Sequence, residues 1–377
     1  MGVSGMDEYP IHQLPQPVTW AGNTDRNFYD RCYLMGHDRT GEVMFISGMG
    51  YYPNLGTKDA FFLLRRRDAG GRDQTTVVHL GDAIDDDRLH PHVGDYALDV
   101  VDPLHELHLR LAGTEGISAD LRWRGAHPVV TELPHVMRAG SRVTLDAQRF
   151  AQVGGWEGTI TVDGEQIAVD PASWVGTRDR SWGVRPSGEP APAGAPLVPE
   201  FGGMWWLYVP LRFDDFSLVL IVQEEPDGFR ILNDCTRVFS DGRVEQLGWP
   251  RISVDYAPGT RTPTSATFAC TLPDGSPLTL EVSSLLAAPL HVGGGYGGDP
   301  DWAHGVWKGP DFTERLTYDM DDAQVQGRFM FGVVDHVGHG RIVETGEEGW
   351  GLFEHGALGG HAPSGFADWF DTAPAAD

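Results

Sequence analysis

The sequence predicts an all-β protein of two tandem antiparallel β-barrel or β-sandwich domains. Its 49 glycines and 26 prolines interrupt almost every stretch that is long enough to form a helix. Short apolar runs alternate instead with turn dipeptides, and three Asp-Gly pairs each lie between two such runs. Many short strands at even spacing are typical of barrels and sandwiches, and a chain of 377 residues is long enough for two domains.

The three Asp-Gly pairs predict hairpins, because both central residues of a tight hairpin turn take a positive φ. The pairs and their flanking runs are Asp163-Gly164 between 157–162 and 166–169, Asp241-Gly242 between 235–239 and 244–247, and Asp274-Gly275 between 266–272 and 278–282. Residues 42–47, 60–64 and 217–223 also predict strands, because they are rich in aromatic and β-branched side chains. Residues 104–112 are the exception, since their two histidines have a helical spacing.

A domain boundary is predicted within residues 185–200, where five prolines exclude both a helix and a central strand. We therefore expect an N-terminal domain over residues 20–185, a linker over 186–200 and a C-terminal domain over 201–365. The two domains look alike, because each begins with an aromatic run and ends with a Trp-Gly pair. This likeness suggests a duplicated domain.

Charge and cysteine content narrow the classes of function. The chain carries 28 Lys and Arg against 54 Asp and Glu, and its net charge of −26 repels phosphate backbones and anionic lipids. We expect no nucleic-acid partner and no membrane span, because no run approaches the roughly 18 apolar residues that a span needs. Residues 1–10 have no basic or apolar leader, so we expect a cytoplasmic protein. The three widely spaced cysteines are expected to be buried thiols.

Residues 178–183, Arg-Asp-Arg-Ser-Trp-Gly, are the most unusual local feature. On a strand, both arginines and Trp182 share one face, and Asp179 and Ser181 share the other. A buried Asp179 without a partner would take up a proton and could act as a general acid, whereas a fully paired Asp179 would be a structural clip. From the sequence alone the clip is the favoured interpretation.

Two further features could contribute to a cavity. Tyr51-Tyr52 and Trp205-Trp206 are aromatic pairs of which one member faces inward, either as cavity lining or, more commonly, as core. Asp335-His336 and Glu354-His355 each place a carboxylate beside an imidazole, on late strands that could be neighbours. Successive strand residues point to opposite faces, so at most one member of each pair faces a cavity.

Metal and lysine chemistry are not indicated. The chain has 15 histidines, but no His-Glu-x-x-His occurs and no element combines spaced histidines with a carboxylate into a facial triad. Lys58 and Lys308 are the only lysines, and neither lies in the kind of apolar run that Schiff-base chemistry requires. We therefore expect no metal site.

Several short motifs occur in a characteristic order. They are residues 178–183, 205–208 and 332–356, together with Tyr29-Asp30-Arg31, Gly36-His37-Asp38 and Tyr52-Pro53-Asn54. Over about residues 25–365 this set resembles the carotenoid 1,2-hydratase (hydroxyneurosporene synthase) superfamily, which includes AttH-like proteins, kievitone hydratase, fungal Diels–Alderases and a large bacterial branch. The usual family motif is Asp-His-(Asn/Gln)-Trp-Gly. Asp179 and Trp182 match it, but Arg180 replaces the His and Ser181 replaces the amide, and a guanidinium cannot shuttle a proton.

The resemblance implies two tandem lipocalin-like β domains with a hydrophobic pocket between or within them. It also implies cofactor-independent hydration, cyclisation or isomerisation of an apolar, isoprenoid, steroid or lipid-like molecule. The chemistry would start with an acid that protonates a C=C bond, and aromatic ring faces would stabilise the resulting cation. Asp179 and Asp335 are the candidate acids, with His336 and His355 as relays. The residues expected to bind substrate are Arg178, Arg180, Trp182, Trp205, Tyr208 and Tyr52.

Two alternatives remain open. One is a non-catalytic carrier of a lipid-like small molecule on the same fold, and the other is a cupin-type metal-dependent enzyme, which needs three converging ligands. An acid that is buried, unpaired and pocket-facing favours an enzyme, whereas a pocket lined only by carbon favours a carrier. The expected partner is an apolar small molecule, and the sequence leaves the oligomeric state open.

Overall fold

A computed structural model describes residues 2–68, 70–190 and 202–375. It is nearly all β, with 57% strand and 4% helix, which confirms the predicted all-β fold. The described strands form two curled antiparallel sheets, one of fourteen strands and one of nine. Most of the predicted linker, residues 191–200, lies outside the described residues, and the predicted domain bounds stay a prediction.

The strands, in chain order, divide at the predicted linker. Before it lie β1 (Phe28–Asp38), β2 (Val43–Tyr52), β3 (Thr57–Arg67), β4 (Asp73–Ala83), β5 (His92–Val93), β6 (Tyr96–Asp102), β7 (Glu106–Thr114), β8 (Ile117–Gly125), β9 (Val130–Thr131), β10 (His135–Ala139), β11 (Arg142–Val162), β12 (Glu165–Val169) and β13 (Trp174–Val184). After it lie β14 (Gly203–Arg212), β15 (Phe216–Glu224), β16 (Arg230–Phe239), β17 (Val244–Gln246), β18 (Arg251–Tyr256), β19 (Pro263–Thr271), β20 (Pro277–Pro289), β21 (Phe312–Asp319), β22 (Val334–Ile342) and β23 (Glu348–Gly359). The helices are short and comprise α1 (Ala323–Arg328) and the 3₁₀ helices Gly5–Glu8, Phe329–Phe331 and Ala362–Ser364.

The two sheets have related connectivity. The first has the order β21-β4-β3-β2-β1-β13-β11-β8-β7-β6-β5, with β9, β10 and β12 also paired to β11, and the second has the order β17-β16-β15-β14-β23-β22-β20-β19-β18. In each sheet an early strand pairs with a late strand of the same half, β1 with β13 and β14 with β23. β21 crosses over, because it follows the linker in the chain but extends the first sheet beside β4. The second half of the chain therefore contributes to both sheets.

All three predicted Asp-Gly hairpins form, at the β11–β12, β16–β17 and β19–β20 connections. Only the first has the predicted pair of positive φ angles, 51° at Asp163 and 86° at Gly164. In the other two only the glycine is positive, with 84° at Gly242 and 87° at Gly275. These two connections are longer than a two-residue turn, so one left-handed residue is enough to reverse the chain.

The helical spacing noted within residues 104–112 does not correspond to a helix. Most of this segment belongs to β7, where Leu107, Leu109 and Leu111 are buried and the side chains between them are more exposed. A buried leucine at every second position is the period of a strand, and it outweighs the spacing of the two histidines.

Each sheet covers its own apolar core, and a third apolar cluster lies between the two sheets. The central strands are consequently buried on both faces. On β1, Leu34 packs into the first core and Tyr33 into the inter-sheet cluster. On β14, Leu207 packs into the second core and Trp206 into the inter-sheet cluster. The three cysteines lie within the two cores and are free and buried, as predicted.

Candidate functional site

A cavity of about 300 Å³ lies between the two sheets, within the inter-sheet cluster. Its lining combines apolar side chains with ionisable ones. The apolar side chains include Leu133, Met137, Leu145, Met204, Leu290 and Leu358. The polar and aromatic side chains include Tyr29, Arg31, Tyr33, Glu132, His135, Arg149, Asp179, Ser181, Arg185, Trp206, Tyr208, Tyr296 and Glu354.

Strand β13 brings Asp179 and Ser181 to the cavity, because the two residues share one face of the strand. Asp179 is directly opposite Tyr33 of β1. Ser181, two residues further along, lies between Arg31 of β1 and Arg149 of β11. The acid is therefore flanked diagonally by two arginines from the neighbouring strands.

The other three side chains of this run lie on the opposite face of β13 and do not line the cavity. Arg178 is buried, and its Nε donates a hydrogen bond of 2.8 Å to Oε1 of Gln152. Arg180 forms an ion pair of 2.9 Å with Asp30. Trp182 is 40% exposed. The structure thus does not bring the predicted substrate-binding residues of this run to the cavity.

Asp179 makes no hydrogen bond or ion pair within the part of the chain that the structure describes. The predicted clip therefore has no partner there, since both adjacent arginines point away from this carboxyl group. Part of the Asp179 side chain stays accessible because it borders the cavity. Burial raises its pKa from 3.8 to about 6, although Arg149 acts to lower it. The group is thus partly protonated near neutral pH.

A second acidic group faces the cavity from the other sheet. Glu354 of β23 is directly opposite Asp335 of β22, and the Asp335 side chain is fully buried behind the lining. Burial, and then the charge of Glu354, raise the pKa of Asp335 well above its ordinary value. The hydroxyl of Tyr33 donates a hydrogen bond to Asp335, and Nε1 of Trp206 donates one to Glu354. Burial also raises the pKa of Glu354, and we interpret the pair as sharing one proton that the deeper Asp335 holds.

The two predicted relay histidines point away from the cavity. Nδ1 of His336 is 2.7 Å from Oγ of Ser284, and Nε2 of His355 is 3.0 Å from the hydroxyl of Tyr256. Burial lowers the pKa of His336 to about 3 and that of His355 to about 4, so both rings are neutral. Strand alternation allowed only one member of each carboxylate–histidine pair to face inward, and in both pairs it is the carboxylate.

The predicted aromatic residues divide between cavity and core. Tyr208 lines the cavity. Trp205 lies in the core of the second sheet, where its Nε1 donates a hydrogen bond of 3.2 Å to Tyr256, and its neighbour Trp206 faces the cavity instead. Tyr52 is buried outside the lining, and its hydroxyl donates a hydrogen bond of 3.2 Å to Asp59.

Several cavity residues, among them Glu132, Arg149 and Glu354, were not among the predicted site residues. Glu132 and Arg149 form an ion pair in which Glu132 is almost completely buried. No local sequence pattern indicates this ion pair, because 17 residues separate its members and only the pairing of β9 with β11 brings them together. Glu354 could have been found, since it shares a dipeptide with His355 and only the choice of face was open.

The described residues contain neither a metal-binding cluster nor a membrane-spanning helix. Among residues 2–68, 70–190 and 202–375, no group of three or more His, Cys, Asp and Glu side chains is arranged to hold a metal ion. Within the same ranges, no helix has the length and hydropathy needed to span a membrane.

Residues 3–367 match the model of a protein family described as a family of unknown function, DUF8625. The chain belongs to this family. No curated protein matches the DUF8625 chain.

Solved structures are similar to the DUF8625 chain over most of its length. One is an AttH protein from Nitrosomonas europaea, with 14% identity, a TM-score of 0.52 and coverage of 92% of this chain and 98% of that one. Kievitone hydratase from Nectria haematococca has 13% identity, a TM-score of 0.48 and coverage of 94% and 95%. CghA has 10% identity, a TM-score of 0.44 and coverage of 88% of both chains. At this level of identity the AttH match shows the fold alone, and it agrees with the predicted tandem lipocalin-like architecture.

Proposed function

We propose that this DUF8625 protein is an acid–base enzyme that hydrates or isomerises an apolar substrate in the inter-sheet cavity, with Asp179 as the proton donor. The observation that supports this is the state of Asp179, which faces the cavity, has no partner among the described residues and has a pKa raised to about 6. An unpaired buried carboxyl group costs stability, so a purely structural role does not explain it. A proton donor that works near neutral pH needs this pKa.

In the proposed hydration, Asp179 transfers its proton to one carbon of a C=C bond. Water adds to the other carbon and releases a proton to the carboxylate of Glu354, so that one water molecule is added in total. In the proposed isomerisation, Glu354 instead removes a proton from a carbon next to the cation. Exchange with solvent then returns the proton to Asp179.

Carboxylates, and not ring faces, stabilise the cation in this proposal. The guanidinium of Arg149 lies 4.9 Å from the ring centroid of Tyr208 and 5.9 Å from that of Trp206. A substrate cation on these rings would meet a positive charge already in place. We therefore assign the stabilisation to Glu354 and to the carboxylate that Asp179 becomes after proton transfer.

The substrate is proposed to be isoprenoid, steroid or lipid-like, in keeping with the leucines and methionines that line the cavity. The reaction is proposed to need no cofactor, because the chain supplies both the proton donor and the proton acceptor. Predicted site residues that lie outside the cavity lining, such as His336 and His355, have no role in it.

Hydrogen exchange between solvent and a set of model substrates tests the proposal. The protein is incubated in D₂O with a panel of apolar alkenes, and deuterium bound to carbon is measured by mass spectrometry. We expect Asp179→Asn to lower the rate about 10²–10⁴-fold, because it keeps the shape and removes the transferable proton. The wild-type rate should fall as the pH rises through about 6, where Asp179 loses its proton.

The matched control is Asp30→Asn, which removes a carboxylate from the neighbouring strand β1 that pairs with Arg180 outside the cavity. This variant should keep the wild-type rate. A folded Asp179→Asn variant with the full rate would exclude Asp179 as the donor. Alkenes that bind to the protein without taking up deuterium would favour the alternative function, a non-catalytic carrier of a lipid-like small molecule.

A further inference from the structure

Two arginines mark the entrance to the inter-sheet cavity. A second, outer cavity of about 430 Å³ adjoins it, and Arg31, Arg185 and Tyr296 line both. We call these three residues the neck. Any molecule that passes between the outer and the inter-sheet cavity contacts them.

Arg31 of the neck is a buried cation without a counter-ion in the described part of the chain. Only 6% of its surface is exposed, and its guanidinium lies over the ring of Tyr296, 4.8 Å from the centroid. Its guanidinium makes no hydrogen bond and no ion pair with the described residues. Burial acts to lower the pKa of Arg31, but the nearby Tyr296, Tyr52 and Asp59 raise it overall, so the guanidinium stays charged although it makes no direct ion pair.

Arg185 brings a second positive charge to the same ring. Its guanidinium lies 5.7 Å from the centroid of Tyr296 and 5.6 Å from that of Tyr29, and it also has no ion pair among the described residues. Two guanidinium groups near one ring repel each other unless an anion lies between them. The phenol faces offset part of this repulsion but supply no negative charge.

The neck differs from the other arginine sites of this acidic chain. Other largely buried arginines have hydrogen-bond partners: Arg65, Arg149 and Arg230 pair with carboxylates, whereas Arg178 donates to Gln152 and Arg261 to backbone carbonyls. Near the neck the carboxylate of Asp299 is engaged elsewhere, since it accepts hydrogen bonds from the backbone N–H groups of Gly293 and Gly295. In a chain with 54 acidic residues, two arginines that lack a carboxylate partner among the described residues at one constriction indicate a site for an external anion.

We infer that the neck binds one anionic group of the substrate, a carboxylate in the simplest case, while the apolar body of the substrate extends into the inter-sheet cavity. This inference rests on the proposed function and narrows its substrate class to apolar acids. Arg31 offers a planar fork that matches a carboxylate, and Arg185 adds a second contact from the outer side. An anchored carboxylate also fixes which C=C bond reaches Asp179.

Binding of three matched probes tests the inference. Decanoate, decanol and methyl decanoate share an apolar chain, and only decanoate is anionic at mildly alkaline pH. Calorimetry should show that decanoate binds about tenfold more tightly than either neutral probe, or better. Arg31→Gln should remove this advantage and leave decanol binding unchanged. Arg185→Gln, at a half-buried position, should reduce the advantage and tests the neck even if Arg31→Gln does not fold.

The control variant is Arg110→Gln, which removes an exposed arginine that pairs with Asp99 on the first sheet. It should leave the binding of all three probes unchanged. Decanoate that binds no more tightly than decanol would overturn the anion site but leave the apolar cavity of the proposed function intact. No binding by any probe would overturn the proposed function itself. Equal losses for decanoate and decanol in the neck variants would show that the arginines shape the cavity without recognising charge.

Discussion

Two carboxyl groups of the first sheet line the cavity, and only one of them has an ion-pair partner. Glu132 has an arginine partner, Arg149, whereas Asp179 has no ion pair among the described residues. Burial raises the pKa of both groups. The ion pair offsets part of the lost hydration of Glu132, whereas Asp179 has no such partner and is left with a cost that protonation relieves. We therefore interpret Glu132 as a structural carboxylate and Asp179 as a reactive one, although both line the same cavity.

Asp179→Asn should therefore stabilise the fold at neutral pH and above. The carboxyl group has a pKa of about 6 in the folded state against an ordinary value of 3.8, so the folded state keeps a proton that the unfolded state has lost. The free energy of unfolding should fall as the pH rises between these values and stay low above them. The ionised group then costs up to about 3 kcal/mol, which Asn removes.

Urea unfolding of both proteins at mildly alkaline pH and at pH about 3 measures this difference, which should nearly vanish at the acidic pH because Asp179 is then mostly protonated in both states. Asp30→Asn serves again as the control, since its carboxylate is 41% exposed and lies on the face of β1 opposite to the cavity. A loss of about 3–5 kcal/mol in Asp179→Asn would instead show that Asp179 is a buried clip, as the sequence favoured.

At the scale of elements, a row of glycines sets how β13 lies between its neighbours. Gly36, Gly176, Gly154 and Gly125 stand in register across β1, β13, β11 and β8. The side chain of Trp156 lies against this row, and its Nε1 donates a hydrogen bond of 3.0 Å to a backbone carbonyl of β1. Because glycine has no side chain, the indole ring of Trp156 can lie this close to the backbone. The row crosses β13 three residues before Asp179, so it helps to hold the strands that present the acid and its flanking arginines.

Gly176→Ala should destabilise the protein by about 1–3 kcal/mol through overpacking. A Cβ atom at Gly176 would lie 2.0 Å from the carbonyl oxygen of Met35 and 2.8 Å from Nε1 of Trp156, so the backbone would have to move. Gly327→Ala is the control, because the space around Gly327 of α1 is open and alanine favours a helix. Denaturant midpoints that shift equally in the two variants would show that the close contact is not what requires glycine at position 176.

At the scale of the whole molecule, the charge of the cavity departs from that of the chain. The chain has about two acidic residues for each basic one, with 54 against 28. The described lining of the cavity contains as many arginines as carboxyl groups, namely Arg31, Arg149 and Arg185 with Glu132, Asp179 and Glu354. The excess of acidic residues therefore lies outside the cavity, where it favours solubility. Within the lining the charges balance when Asp179 is ionised, and their sum is positive when Asp179 is protonated.

The fold was more predictable than the site, because its signals are local. Asp-Gly turns and alternating apolar runs lie within about ten residues of one another, and they predicted the hairpins correctly. The alternation of side chains along a strand also predicted correctly that Asp179 faces away from Arg178 and Arg180. The partners of Asp179 were not predictable, because strand pairing between distant segments sets them. Arg31 and Arg149 reach Ser181 only through the β1–β13 and β11–β13 registers, and a shift of one residue would turn each side chain to the other face.

A direct titration of Asp179 is the most decisive measurement, because it requires no substrate. Infrared difference spectra of the wild type and Asp179→Asn, with carbon-13 in the aspartate carboxyl groups, isolate the band of this one protonated carboxyl group. The band should be present in acid and disappear with a midpoint near about 6. A midpoint at or below the ordinary value of 3.8 would show that Asp179 is ionised at neutral pH and cannot be the proton donor.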